Sequence, residues 1–289
     1  MLKHRLFAPA SLPAGSFAPL VVALHGCTQT ASDFAAGTQF DRVAERAGAF
    51  VLYPEQSVLA NPQRCWNWFL PENQFRESGE PAAILLQVEE TCARYRIDRE
   101  RTFVTGLSAG GAMAAILAEQ APDVFAAVGI MAGVALHASH DVESAHTAMH
   151  RAVTERDIVP IVARRGRWIP GYKRLRATIW SGAQDKLVAP ENSSVLAHQF
   201  LRLLDLDGRR PAIQERDGVQ IARWSDAAGR VRVEAWRIAD MGHAWSGGSF
   251  SGSHTYPPGP AASDAMMGFF LEEPQFAPAN RGHGSGAAS

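Results

Sequence analysis

Residues 103–120 read FVTGLSAGGAMAAILAEQ, an apolar run that passes without a linker into an Ala-rich one. Phe103, Val104 and Thr105 favour extended chain, whereas Ala, Met, Leu and Glu after position 111 favour a helix. Between them lie Gly106, Ser108, Gly110 and Gly111. Glycine destabilises regular structure, so this density implies a sharp backbone turn with no room beside it for a side chain. The chain must therefore carry a strand that runs straight into a helix, with Ser108 at the corner.

The rest of the sequence repeats the alternation. Apolar, β-rich runs fall at 19–25, 49–55, 101–106, 126–133, 177–182 and 231–238. Several are apolar at consecutive positions, as strands covered on both faces are. Helical patterns fall between them, at 31–48, 81–95, 110–120, 190–204 and 262–273. In the second, Pro81 suits a first helical position, and Ile84, Leu85, Val88, Cys92 and Tyr95 share one face. The expected architecture is α/β: a mainly parallel sheet with helices on both faces. It is read as one domain over 1–272, followed by a tail over 273–289 with the composition of disordered chain. Residues 136–176 break the alternation and are expected to form an inserted cap or long loop near the carboxyl edge of the sheet, where ligands bind in such folds.

Composition narrows the function classes. The 289 residues carry a net charge of −1, which gives no basis for binding nucleic acid or an anionic membrane. No apolar run approaches the ~20 residues of a membrane span. Three cysteines are too few for a disulfide framework, and their odd number leaves one thiol over. The segment MLKHRLFAPASLPAG lacks the apolar core of an export signal, which leaves two expectations, a cytoplasmic chain or a mature exported one. Oligomeric state is not readable.

Gly106-Leu107-Ser108-Ala109-Gly110 has the form G-x-S-x-G, and its strand–turn–helix setting is that of a nucleophile elbow. A serine hydroxyl needs an adjacent base to attack at neutral pH. With this motif the acid and then the histidine follow downstream. Asp185 lies in a loop after the 177–182 strand, and His243 lies after the 231–238 strand among small residues. Asp240 is a rival acid that would have to fold back along the loop of His243. His25, His198 and His254 sit in less suitable surroundings. Ala109, after the nucleophile, and Cys27, in the loop after the first apolar run, are expected to supply backbone N–H groups to an oxyanion.

The segments LHGCTQTASDFAAGTQFDRVAERAGAFVLYPEQ, NPQRCWNWF, FVTGLSAGGAMAAILA and MGHAWSGG resemble the polyhydroxybutyrate depolymerase family of esterases, which is related to feruloyl and acetylxylan esterases. The likeness runs from about residue 18 to 272. It implies an α/β-hydrolase fold, ester hydrolysis through an acyl-enzyme and no cofactor. It also implies a Ser108, Asp185, His243 triad with Cys27 and Ala109 at the oxyanion hole, and makes a Cys27–Cys65 disulfide plausible, with Cys92 as a helix thiol. Secreted members usually carry an export signal and a linked polymer-binding domain. Neither is evident here, which favours soluble oligomers and small esters over crystalline polymer.

Trp66, Trp68 and Trp245 are candidates for the walls of an ester pocket, because aromatic walls suit apolar substrates. His137, His140, Asp141, His146 and His150 invite a metal reading, but His146 and His150 lack the glutamate of H-E-x-x-H and no spacing fixes a third ligand. A solvated polar segment is the preferred reading. The Arg-rich run 163–176 is read as a solvated cap surface. The expected partner is an ester substrate, with a feruloyl or acetylxylan esterase as the second reading and a catalytically silent binding protein as the third.

Overall fold

The computed structural model describes residues 2–13, 15–151, 172 and 174–272. Six parallel strands form the centre of a nine-stranded sheet: β2 (Ala18–Leu24), β3 (Phe50–Glu55), β4 (Ile97–Leu107), β5 (Ala127–Met131), β6 (Arg176–Gly182) and β9 (Val231–Ile238). Antiparallel strands close both edges, with β1 (Lys3–Phe7) beside β3 and the β7 (Ala212–Arg216) and β8 (Val219–Ser225) pair beside β9, giving the order β1-β3-β2-β4-β5-β6-β9-β8-β7.

Strand β2 shows why this sequence makes a two-faced sheet. All seven of its residues are buried, and they alternate between two cores. Leu20, Val22 and Leu24 pack with α3 (Gly79–Arg94), α4 (Ala109–Gln120) and α6 (Glu191–Leu203). Val21 and Ala23 pack with α1 (Ala31–Thr38), α2 (Phe40–Ala47) and α7 (Ala262–Leu271). Each fully buried Leu or Val contributes about 1.5–3 kcal/mol, so the period-2 alternation fixes the register on both faces at once.

One expected helix is two. Residues 31–48 break at Gln39, whose left-handed backbone (φ 56°, ψ 27°) ends α1 and starts α2. The α1 carbonyl of Gly37 is taken by the N–H of Ser249 at 2.8 Å, so a distant loop uses a group that a continuous helix would keep. Gly252 lies so close to the backbone of Asp33 and Gly37 that its position leaves no room for a side chain.

Of the expected cap at 136–176, residues 152–171 and 173 lie outside the described residues, as does most of the Arg-rich run and the whole 273–289 tail. The described part is solvated along one side, where His140, Asp141, His146 and His150 are exposed, and packed along the other. Ala135, Leu136, Ala145 and Ala148 are buried, and α5 (Val142–His150) docks on the start of α6 through Asn192 Nδ2, which donates to Ala148 O at 3.0 Å. Asp141 caps α5 by accepting the Ser144 N–H at 2.7 Å, the arrangement that favours Asp at helix starts.

At the junction of β4 and α4, a Cβ at Gly110 would overlap Leu24 O and His25 O, backbone atoms that cannot step aside. Overpacking of this kind costs about 1–3 kcal/mol or more. Gly110→Ala is therefore expected to lower the unfolding free energy, measured by chemical denaturation, by at least about 1–3 kcal/mol, and a variant as stable as the parent would show that the junction is looser than described.

Candidate active site

Ser108 occupies the corner between β4 and α4 with φ 58° and ψ −120°, a conformation that costs a non-glycine residue of order 1–3 kcal/mol and persists only where its surroundings enforce it. Here two hydrogen bonds clamp it: Ser108 N donates to Met131 O at 2.9 Å, and Ala112 N donates to Ser108 O at 2.9 Å. Gly106 and Gly110 let β4, α4 and the end of β2 come together beneath it, which is why the glycines flank the serine.

Asp185 and His243 come from the loops after β6 and β9, adjacent strands in the sheet. The two loops are stitched together, Ala183 N to Ile238 O at 2.8 Å and Gln184 N to Met241 O at 2.9 Å. Gly182 is required there because Met241 O and Gly242 O fill the space of a side chain. The result is a His243 Nδ1–Asp185 Oδ2 hydrogen bond of 2.7 Å, with the two side chains 9 % and 1 % exposed. The other carboxylate oxygen, Asp185 Oδ1, accepts from Leu187 N and Val188 N, both at 2.9 Å. Because that carboxylate is engaged only as an acceptor, Nδ1 carries the proton and Nε2 presents a lone pair. Asp240 is exposed and makes no bond to His243. The remaining contact, Ser108 Oγ to His243 Nε2, is not formed in this structure. Such contacts often tighten only with substrate bound.

Cys27 N and Ala109 N donate to no protein acceptor among the described residues. Ala109 opens α4, whose first amides have no partner within the helix, and its N-terminal end favours negative charge. The Cys27 loop is held from several sides. Gly26 N donates to Gln29 Oε1 at 2.9 Å, and Thr28 N donates to Gln63 O. A disulfide joins Cys27 to Cys65, while Cys92 is free. His25 is fully buried, with Nδ1 on Gly26 O at 2.7 Å and Nε2 accepting from Gln56 N at 3.0 Å; burial pulls its pKa below the usual imidazole value. Gln29, Gln56, Asn67 and Glu80 brace these loops; the first three lie inside the segments that carry the family resemblance, but none matches a catalytic pattern. The one hint is Glu80 before Pro81, an acid at a helix start.

The tryptophans are placed differently from the pocket expectation. Trp66 and Trp245 are fully buried and have no surface to offer a substrate. Trp66 Nε1 donates to His25 O at 3.1 Å, and Trp245 Nε1 donates to Ser263 Oγ at 3.1 Å beneath Phe34 and Phe40. An indole that finds its hydrogen bond inside the protein is bound into the core. Trp68, against Phe69, keeps a sliver of exposure. In the histidine cluster, His137 is committed to Glu119 and Gln74, and His140 lies beside Asp141; His146 and His150 pack ring on ring on α5.

Residues 2–221 match the family described as esterase PHB depolymerase. The chain belongs to that family. It is 35 % identical over 245 residues to poly(3-hydroxyalkanoate) depolymerase C of Paucimonas lemoignei, a match covering 84 % of this chain and 58 % of that protein. The chain thus spans little more than half the length of that relative. A second relative, feruloyl esterase B of Thermothelomyces thermophilus, is 28 % identical over 214 residues, 72 % of this chain and 71 % of that one. Among solved structures, an acetyl xylan esterase from Aspergillus awamori superposes with a TM-score of 0.71 at 21 % identity, covering 83 % of this chain and 88 % of that one. The fold of this family member is the α/β-hydrolase fold.

Proposed function

We propose that this member of the PHB depolymerase family is a serine esterase in which Ser108 is the nucleophile, His243 the base and Asp185 the residue that orients it, with Cys27 N and Ala109 N as the oxyanion hole. The observation that carries the reading is the His243–Asp185 bond of 2.7 Å at the sheet edge where the strained Ser108 corner lies. In this mechanism Nε2 removes the proton from Ser108 as Oγ adds to the ester carbonyl, and the two amides take up the developing negative charge. The imidazolium then protonates the leaving alkoxide. Water, deprotonated by His243 in turn, releases the acid from Ser108. The Asp185–His243 pair is already fixed in place, and the Ser108 Oγ–His243 Nε2 contact is the one to be made as substrate binds.

For substrate we infer poly(3-hydroxybutyrate) or its oligomers together with short-chain esters, because the family match and the 35 % identical relative both point to polyesters of hydroxy acids. The expected result is release of 3-hydroxybutyrate from an amorphous polymer suspension, lost in Ser108→Ala. A feruloyl or acetylxylan ester is the second reading, favoured by the feruloyl esterase relative that this chain matches over most of its length. No release from polymer, with Ser108-dependent hydrolysis of p-nitrophenyl butyrate intact, would move the assignment there. Covalent labelling of Ser108 by a fluorophosphonate is the expected result, and a failure to label would favour a silent binding protein.

A further inference from the structure

Glu80, the second residue of α3, takes no part in the chemistry above, yet three neutral N–H donors converge on its carboxylate. Oε2 accepts from Asn67 N at 2.8 Å, and Oε1 accepts from Asn67 Nδ2 at 2.7 Å and Gln56 Nε2 at 2.5 Å. No ion pair involves it among the described residues. Burial pushes its carboxyl up against the opposing pull of these hydrogen bonds. A carboxylate without a cation in such a place is costly unless it is hydrogen-bonded, and here both oxygens accept.

The groups it grips lead to the Cys27 loop by separate routes. Gln56 Nε2 also donates to Cys65 O at 3.1 Å, and Cys65 is bonded to Cys27. Gln56 N donates to His25 Nε2 at 3.0 Å, two residues before Cys27. Asn67 adjoins Trp66, whose indole holds His25 O at 3.1 Å. Asn67 is itself fixed at four atoms, the further two being its O, which accepts from Asn73 Nδ2, and its Oδ1, which accepts from Asn61 Nδ2. One side chain therefore ties the segment 56–67 to α3, and that segment carries the anchors of the loop.

We propose that Glu80 is a positioning residue that holds the Cys27 N–H at the point where the oxyanion develops, acting through Gln56, Asn67 and the Cys65 and His25 contacts. The inference rests on the esterase reading above. Its test is Glu80→Gln, which keeps the shape and removes one acceptor position. The new amide N–H₂ must face a donor, Asn67 N on one side or Asn67 Nδ2 and Gln56 Nε2 on the other, so the network opens whichever way the amide turns.

Deleting an oxyanion donor costs ~10²–10³ in rate, and a displaced one less, so kcat on p-nitrophenyl butyrate is expected to fall about tenfold with KM changed by less than about twofold. Affinity for a trifluoromethyl ketone, which places an oxyanion in the hole when Ser108 adds to it, should fall in the same proportion, while affinity for butyrate should not. Glu80→Asp, which keeps both acceptors, should recover part of the loss. A folded Glu80→Gln with parental kcat, or a lower kcat with ketone affinity unchanged, overturns the proposal. If Glu80→Gln does not fold, Gln56→Met is measured in its place; failure of both to fold assigns the carboxylate to the fold alone and also overturns it. A parent protein that neither turns over esters nor binds the ketone would instead defeat the esterase reading.

Discussion

Ser108→Ala is expected to lower kcat on p-nitrophenyl butyrate by ~10⁶, the scale of nucleophile knockouts in serine hydrolases, and to leave thermal stability almost unchanged. The two halves of that expectation come from different features. The corner conformation is a property of the backbone, held by Ser108 N on Met131 O and by Ala112 N on Ser108 O, and alanine retains both bonds and the same Cβ. The hydroxyl makes no hydrogen bond among the described residues, so its loss leaves none of their groups unpaired. A residue held in a costly backbone conformation while its side chain contributes nothing to the fold is explained by reactivity. Steady-state kinetics with a parallel melting curve checks both halves. A variant that kept most of the rate would refute the mechanism. One that lost rate and stability together would make Ser108 a structural residue.

The central strands and the elbow were legible in the sequence because parallel strands buried on both faces must be apolar at successive positions. The edges were not. Strand β7 is exposed along its whole length, and β8 alternates polar with apolar residues, so neither presents a continuous apolar run. Strand β1 is half exposed for the same reason. The break at Gln39 is set by Ser249 and Gly252, more than two hundred residues away, and local propensity carries no trace of it. The tryptophans show the converse limit. Their spacing suggests aromatic surface, but whether an indole faces solvent depends on whether an acceptor such as His25 O or Ser263 Oγ awaits its N–H in the core. Ser108, Asp185 and His243 stood out because the order of three residue types along the chain is itself a signal. Glu80 and Asn67 belong to no such order, and only the folded arrangement reveals what they brace.

The second large effect is expected at Asp185. In Asp185→Asn the size is unchanged, but one acceptor oxygen becomes a donor. The carboxylate now accepts three bonds, one from His243 Nδ1 and two from the Leu187 and Val188 amides. An asparagine can serve only one side. Each backbone bond is worth about 0.5–1.5 kcal/mol net, and leaving a buried donor unpaired costs about 1–3 kcal/mol. Two backbone donors therefore outweigh one imidazole, and the amide oxygen turns toward Leu187 and Val188. Its N–H₂ then faces His243 and pairs with Nδ1 as an acceptor, which forces the imidazole proton onto Nε2. In that tautomer Nε2 has no lone pair for the proton of Ser108, and the loss of kcat should reach ~10⁴ with the site otherwise intact. Nitrogen NMR of His243 would report the tautomer directly, with the proton on Nδ1 in the parent and on Nε2 in the variant. Asp240→Asn is the control, expected to be silent because Asp240 is exposed and does not touch His243. A fall of less than about tenfold in Asp185→Asn, or a larger one in Asp240→Asn, would move the orienting role away from Asp185.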